Sequence, residues 1–260
     1  MKNYPTIHDT LRGRCNVAQY YYSDTDFVEV GIPIDGQSIG MFISGGVDSA
    51  LTCFLIVKAI QKFGTKNKIY PITTEFMARP FNIKHSWQVL RHIEELTGFV
   101  FSQHLIFPMP NHSLHITDEM KKPIMSENID QYFRHYNLAT MFNGLTANPP
   151  ISIVPDNYWG HRQIERDDIT LVKRKLLQQS VQYPFLFSDK RVIAELYNKF
   201  DIVNSLFPLT RSCESEMDES AYFTKTCFAV RPPGHECWWC RERQYGFQSL
   251  VENEFINTYD

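Results

Sequence analysis

The sequence has no apolar run long enough to span a bilayer, no internal repeat and no low-complexity tract. These absences argue against a helical membrane span, a solenoid and a compositional linker. The opening residues Lys2-Asn3-Tyr4-Pro5 lack the apolar core of a signal peptide, so a cytoplasmic protein is expected. A strong charge of either sign is also missing. The formal net charge is −3 at pH 7, which argues against a protein that holds nucleic acid by bulk electrostatics. The basic run Lys173-Arg174-Lys175 reads as readily as a solvated helix face. Cysteine is sparse, six in all, with four crowded after residue 212. That crowding suits metal ligands in a reducing compartment better than a disulfide framework. What remains is 260 residues, 43% of them apolar, enough for one large α/β domain with a small appendage.

The most informative stretch is Met41-Phe42-Ile43-Ser44-Gly45-Gly46-Val47-Asp48-Ser49, which leads into the apolar segment Ala50 to Phe63. It reads as strand, glycine turn and helix. Adjacent glycines let the backbone turn tightly and approach a ligand. The turn amides and the free N–H groups that open the helix form a site for an anion such as a polyphosphate. The Ser49 hydroxyl stands where it can cap the helix or touch a phosphate. Asp48 fits an anion site only by holding a metal ion or orienting a positive partner.

Further strands are expected at Ile39–Ile43, Lys68–Thr73, Phe99–Phe107 and Ala139–Phe142. Residues 1–38 are mixed, and the alternation from Phe27 to Ile32 suggests an edge strand or a hairpin. Between the strands lie helical patterns. His85 to Thr97 carries Val89, Leu90, Ile93 and Leu96 at helical spacing and stops at Gly98. Ser188 reads as the cap of a helix with Val192, Ile193, Leu196 and Phe200 inward. Strands alternating with helices point to an α/β parallel sheet with helices on both faces. Ligands bind such sheets beyond the carboxyl ends of the strands, where the Ser44 loop falls.

Cys237-Trp238-Trp239-Cys240 is a C-x2-C knuckle, a turn that brings two thiolates to one zinc ion. Cys213 and Cys227 are the natural third and fourth ligands, with His235 a competitor. A redox pair is the rival reading, but such pairs open a helix after an early strand. Cys15 and Cys53 lack cysteine neighbours and read as core residues. A closed four-ligand site would be structural.

Taken together, these stretches resemble the PP-loop N-type ATP pyrophosphatases, and within them the 7-cyano-7-deazaguanine synthases of queuosine biosynthesis. The likeness rests on Ser44–Ser49, on Tyr183-Pro184-Phe185-Leu186 running to Lys190 and Ile193, on Thr210-Arg211-Ser212-Cys213-Glu214, and on Cys237-x2-Cys240-Arg241 with Arg243, Gly246 and Phe247. The chain departs from the family at Pro233-Gly234-His235, where a third cysteine is usual.

The resemblance implies a PP-loop (adenine nucleotide alpha hydrolase-like) domain at 38–208, an N-terminal appendage at 1–37, and a zinc-binding segment at 209–260 packed on the same domain. It implies an ATP-dependent ligase that adenylates a carboxylate, 7-carboxy-7-deazaguanine, and uses ammonia to give the nitrile. ATP, magnesium and zinc would be its cofactors. Ser44, Gly45, Gly46, Val47, Asp48 and Ser49 would bind the nucleotide, with Gly144, Thr146 and Asn148 from a second loop. Asp48 would hold the magnesium and Lys190 would neutralise phosphate charge, unless Lys190 is a solvated first-turn lysine. Arg241 and Arg243 are candidates for a substrate carboxylate, and His85, His104 and His161 read as structural. A homodimer is also implied, with no stable nucleic-acid complex and no membrane partner. The alternatives are a tRNA-modifying PP-loop enzyme, such as a base thiolase, and a non-catalytic nucleotide-binding zinc protein.

Overall fold

A computed structural model describes residues 15–34, 36–75, 81–108, 129–152, 181–213 and 236–251. Glu214, Cys227, His235, His161 and the Lys173–Lys175 run lie outside the described residues. Strands β1 (Cys15–Tyr21) and β2 (Phe27–Pro33) form an antiparallel hairpin. Then come β3 (Ser38–Phe42), α1 (Val47–Phe63), β4 (Ile69–Glu75), α2 (Phe81–Thr97) and β5 (Leu105–Pro108). Helical residues 129–135 (α3) precede β6 (Leu138–Phe142) and β7 (Val181–Gln182). Helix α4 (Lys190–Lys199), a 3-10 turn (Phe207–Leu209) and α5 (Trp238–Phe247) complete the described chain.

The five strands β3 to β7 form one parallel sheet in the order β5-β4-β3-β6-β7. Alternation along each strand buries both faces. Ile39, Met41, Ile43 and Ile69 share one core with α1 and α2. Ile72, Leu105, Leu138 and Met141 form another, covered by Ile129, Tyr132, Phe133 and Tyr136 of the α3 region. Helices therefore cover both faces, as the strand-helix alternation led one to expect. The order reverses at β3, between β4 and β6, and the loops after β3 and β6 open a crevice at that switch point.

Two elements differ from the sequence expectation. The strand expected from Phe99 begins only at Leu105. The Ser102 amide already donates to the Ile69 carbonyl of β4 at 2.9 Å, but Pro71 has no N–H to give the neighbouring strand, and the regular ladder runs only from Ile72. Phe99 and Phe101 instead stack edge to face at 5.2 Å against the core. The cap of α4 is Asp189 rather than Ser188, its carboxylate accepting from the Arg191 amide at 2.9 Å. Of the expected inward residues there, Ile193 and Leu196 are buried while Val192 and Phe200 are half-buried. Helix α2 does end at Gly98, whose φ of 68° is the left-handed stop that glycine favours.

Polar side chains fasten the hairpin: Tyr20 Oη donates to the Leu55 carbonyl of α1 at 2.8 Å, Asn67 Nδ2 donates to the Pro33 carbonyl at 3.2 Å, and buried Gln182 of β7 grips Gly31. Gln182 accepts from the Gly31 amide at 3.1 Å, donates to the Gly31 carbonyl at 2.8 Å and donates to Thr140 Oγ1 at 3.2 Å. A side-chain amide here does the pairing that a backbone would do in a continuous sheet. Gln182→Ala leaves those groups buried without this partner and is expected to cost about 2 kcal/mol of unfolding free energy, read by urea titration. A loss near zero would mean that the apolar contacts and the bonds of Tyr20 and Asn67 suffice to hold the hairpin.

Candidate active site

The turn after β3 is built by contacts that only glycine permits. Gly45 has φ +79°, and a Cβ there would lie 2.5 Å from His85 Cβ and 2.8 Å from the Ser86 amide nitrogen. Its carbonyl accepts from the Arg211 amide at 2.8 Å. The second turn of α2 and the extended segment 210–213 thus clamp the loop from two sides. Gly144, after β6, presses on the start of α1, where a Cβ would stand 2.7 Å from the Ser49 nitrogen. The glycines of both loops serve protein packing as directly as ligand approach.

Helix α1 begins at this junction with Gly46 as its N-cap and no side-chain cap. The first helical bond runs from the Ala50 amide to the Gly46 carbonyl at 3.0 Å, so the amides of residues 47–49 precede the ladder. Ser49 does not cap them. Its hydroxyl donates to the Gly46 carbonyl at 3.1 Å and lies 3.2 Å from Ser44 Oγ. The two serines pin the loop while the helix dipole and its amides face the crevice.

Charged side chains converge on the same crevice. It is lined by Ser44, Gly46, Asp48, Ser49, Asn143, Gly144 and Leu145, and from the C-terminal segments by Lys190, Arg211, Ser212, Cys213, Trp239 and Glu242. Lys190, the first residue of α4, is 4% exposed, which rules out the solvated-lysine alternative. Its ammonium pairs with Asp48 Oδ2 and lies 3.5 Å from Glu242 Oε2. The other Asp48 oxygen, Oδ1, is buried without a hydrogen-bond partner. Such an oxygen offers one ligand to a divalent ion, in surroundings whose cations and helix amides favour that ion only alongside an anion.

Arg211 was not singled out as a site residue by sequence. It is buried and its guanidinium stacks 4.0 Å above the ring of Phe81, another lining residue. Its place two residues before Cys213 was the available signal, since any site that draws in that thiol carries Arg211 with it. The arginines expected to meet substrate are used elsewhere. Arg243 donates to the Thr210 carbonyl and hydroxyl, each at 3.0 Å, and to the Phe207 carbonyl at 3.1 Å. Arg241 pairs with Glu236 at 2.8 Å. Neither lines the crevice. Arg243 instead holds the turn that presents Arg211. Thr146 and Asn148 are not among the lining residues either, and the second loop contributes Asn143 to Leu145.

The thiols of Cys213, Cys237 and Cys240 are buried and lie within 4.8 Å of one another. Sulfurs around one zinc ion stand about 3.8 Å apart, and those of Cys213 and Cys237 are 4.0 Å apart. The three fit one metal centre, and Cys213 and Trp239 place it against the crevice wall. Cys53 is buried in the core as expected, while Cys15 is half-buried on β1.

His104 and His85 have structural partners. His104 Nε2 lies 2.7 Å from Thr73 Oγ1. His85 Nδ1 lies 3.0 Å from the Leu209 carbonyl. A carbonyl only accepts, so Nδ1 carries the proton. Burial lowers the His85 pKa to about 4, with the Leu209 bond opposing and Arg211 and Lys84 adding to the fall.

No family model matches the sequence, and no curated protein does. Among solved structures, the U34-tRNA thiolase NcsA from Methanococcus maripaludis with its 4Fe-4S cluster aligns at TM-score 0.43 and 11% identity. The alignment covers 65% of this chain and 57% of that one. At that distance the likeness assigns neither activity nor cofactor.

His85 ties the fold to pH. Its folded pKa lies below the ordinary 6.5, so its stabilising share is complete above pH 6.5 and is lost as pH falls toward 4. Between pH 7 and pH 5 about 2 kcal/mol should disappear. Unfolding free energies at the two values should show that fall in the wild type and a smaller one in His85→Asn. Equal falls would place the titration elsewhere.

Proposed function

We propose that this crevice binds ATP with magnesium and that the chain is a PP-loop ligase, adenylating a carboxylate that ammonia then attacks. The observation that carries the reading is the uncapped start of α1 at the switch point of a parallel sheet, faced by Lys190 and Arg211. Four features match what a polyphosphate needs: free amides, a helix dipole, fixed cations and a carboxylate with one oxygen unused.

The residues divide the work. The backbone of Gly45 to Ser49 would hold the phosphates, with the Ser44 and Ser49 hydroxyls fixing its shape. Asp48 would turn Oδ1 to the magnesium ion. Lys190 would face the charge that grows on departing pyrophosphate, in a buried place where a fixed cation acts strongly. Bound ATP supplies the AMP group that makes a carboxylate oxygen a good leaving group; ammonia would displace that AMP to give an amide, and a second ATP would activate the amide oxygen for its loss to the nitrile. Arg211, held flat by Phe81, is placed to hold an anionic acceptor by its fork of donors. The sequence resemblance suggests 7-carboxy-7-deazaguanine as that acceptor and zinc at Cys213, Cys237 and Cys240, with Cys227 or His235 completing the set.

One observation favours a second reading, a tRNA-modifying thiolase. Cys213 lines the crevice itself, so a metal on these thiols would stand beside the reacting groups and not behind a wall. An iron–sulfur centre in that place would suit sulfur chemistry, whereas zinc would suit a structural brace.

The test is mass spectrometry after incubation with magnesium, ATP, ammonia and 7-carboxy-7-deazaguanine. The nitrile and pyrophosphate should appear and be lost on Asp48→Ala. Pyrophosphate release that needs a tRNA instead would favour the thiolase. No ATP cleavage with any acceptor would overturn both. Elemental analysis should find about one zinc per chain. Iron with visible absorbance would contradict the zinc assignment, and Cys213→Ser should release either metal.

A further inference from the structure

We infer that Glu242 is a positioning residue which anchors Lys190 when Asp48 turns away to a metal ion. The inference rests on the ATP reading above. It begins with an asymmetry among the three charges. Lys190 and Glu242 are nearly sealed, with side chains 4% and 2% exposed, while Asp48 is 22% exposed at the crevice. The ammonium therefore has one partner at the back of the site and one at the front. The front partner stands on the first turn of α1, beside the amides that face the crevice, and keeps Oδ1 without a hydrogen bond.

The carboxylate behind is held by geometry that the sequence fixes. Glu242 and Gly246 are four residues apart on α5 and share one face. Gly246 lies against the backbone of Lys190, where a Cβ would stand 2.6 Å from the Lys190 carbonyl oxygen and 2.5 Å from its Cβ. Only a residue without a side chain lets α5 come so close to the start of α4. One turn earlier, that approach sets Glu242 beside the ammonium.

The consequence concerns turnover. If magnesium draws Asp48 away, a lysine paired only with Asp48 becomes a buried cation with no fixed partner, free to follow the phosphates. Glu242 keeps the ammonium where the pyrophosphate must leave. Its own negative charge works against ATP binding, so its contribution is to rate and not to affinity. A brace that merely held the fold would move both together.

The experiment uses the full chain with Glu242→Gln, Asp48→Asn, the double variant and Glu242→Asp. Pyrophosphate release with the deazaguanine carboxylate and ammonia should show kcat reduced about tenfold or more in Glu242→Gln, with KM for ATP unchanged or lower. Glu242→Asp should recover part of the rate. Thermal unfolding supplies a readout independent of acceptor. Each single variant leaves Lys190 one carboxylate, so the double variant should lose more melting temperature than the sum of the two. Additive losses, or kcat falling while KM rises in proportion, would overturn the inference. If the wild type binds no ATP with magnesium, the ATP reading falls and this inference falls with it. If it binds ATP but spares this acceptor, the unfolding cycle decides for or against the anchor.

Discussion

A single buried ammonium joins the parts of the molecule on which the site depends. Lys190 opens α4, pairs with Asp48 on α1 and lies 3.5 Å from Glu242 on α5. Three helices from distant stretches of sequence therefore meet at one cation. Placing a lysine where its side chain is 4% exposed costs desolvation energy that the two carboxylates must offset. Such an arrangement is a poor way to gain stability, since apolar residues of like volume would serve as well. Its value lies in what the charges face: the amides at the start of α1 and the open mouth of the crevice.

The fold delivers the other components to the same point. A parallel sheet ordered β5-β4-β3-β6-β7 separates the loops after β3 and β6 and leaves a gap between them. Gly45 and Gly144 let those loops close onto α2 and α1. Arg243 fixes the turn at 207–210, and that turn sends Arg211 and Cys213 to the far wall. The hydrogen bonds of the C-terminal helix thus reach the site indirectly, through residues that face the crevice in its place.

Much of this was legible in sequence, for physical reasons. Ser44 to Ser49 announced itself because adjacent glycines between an apolar strand and an apolar helix leave few structural options. The parallel sheet followed from strand–helix alternation, and Gly98 stopped α2 by its left-handed conformation. Pairing over long sequence distances was not legible. Nothing local to Glu242 says that Gly246 admits α5 to Lys190, and nothing near Gln182 says that it clasps Gly31 of the hairpin. Arg241 and Arg243 looked like substrate ligands because charge on a helix is visible in sequence, whereas its partners are not. Pro71 carried a readable warning: a strand that cannot donate at one position interrupts the ladder with its neighbour, and regular pairing with β5 runs only from Ile72.

The most direct measurement is a crystal structure of the chain with magnesium and a non-hydrolysable ATP analogue. Phosphates against the amides of residues 46–49, with the metal ion on Asp48 Oδ1 and Lys190 still beside Glu242, is the expected result. Phosphates bound away from the start of α1, or a metal ion that leaves Asp48 untouched, would contradict the placement of the nucleotide and the role given to the Lys190 cluster.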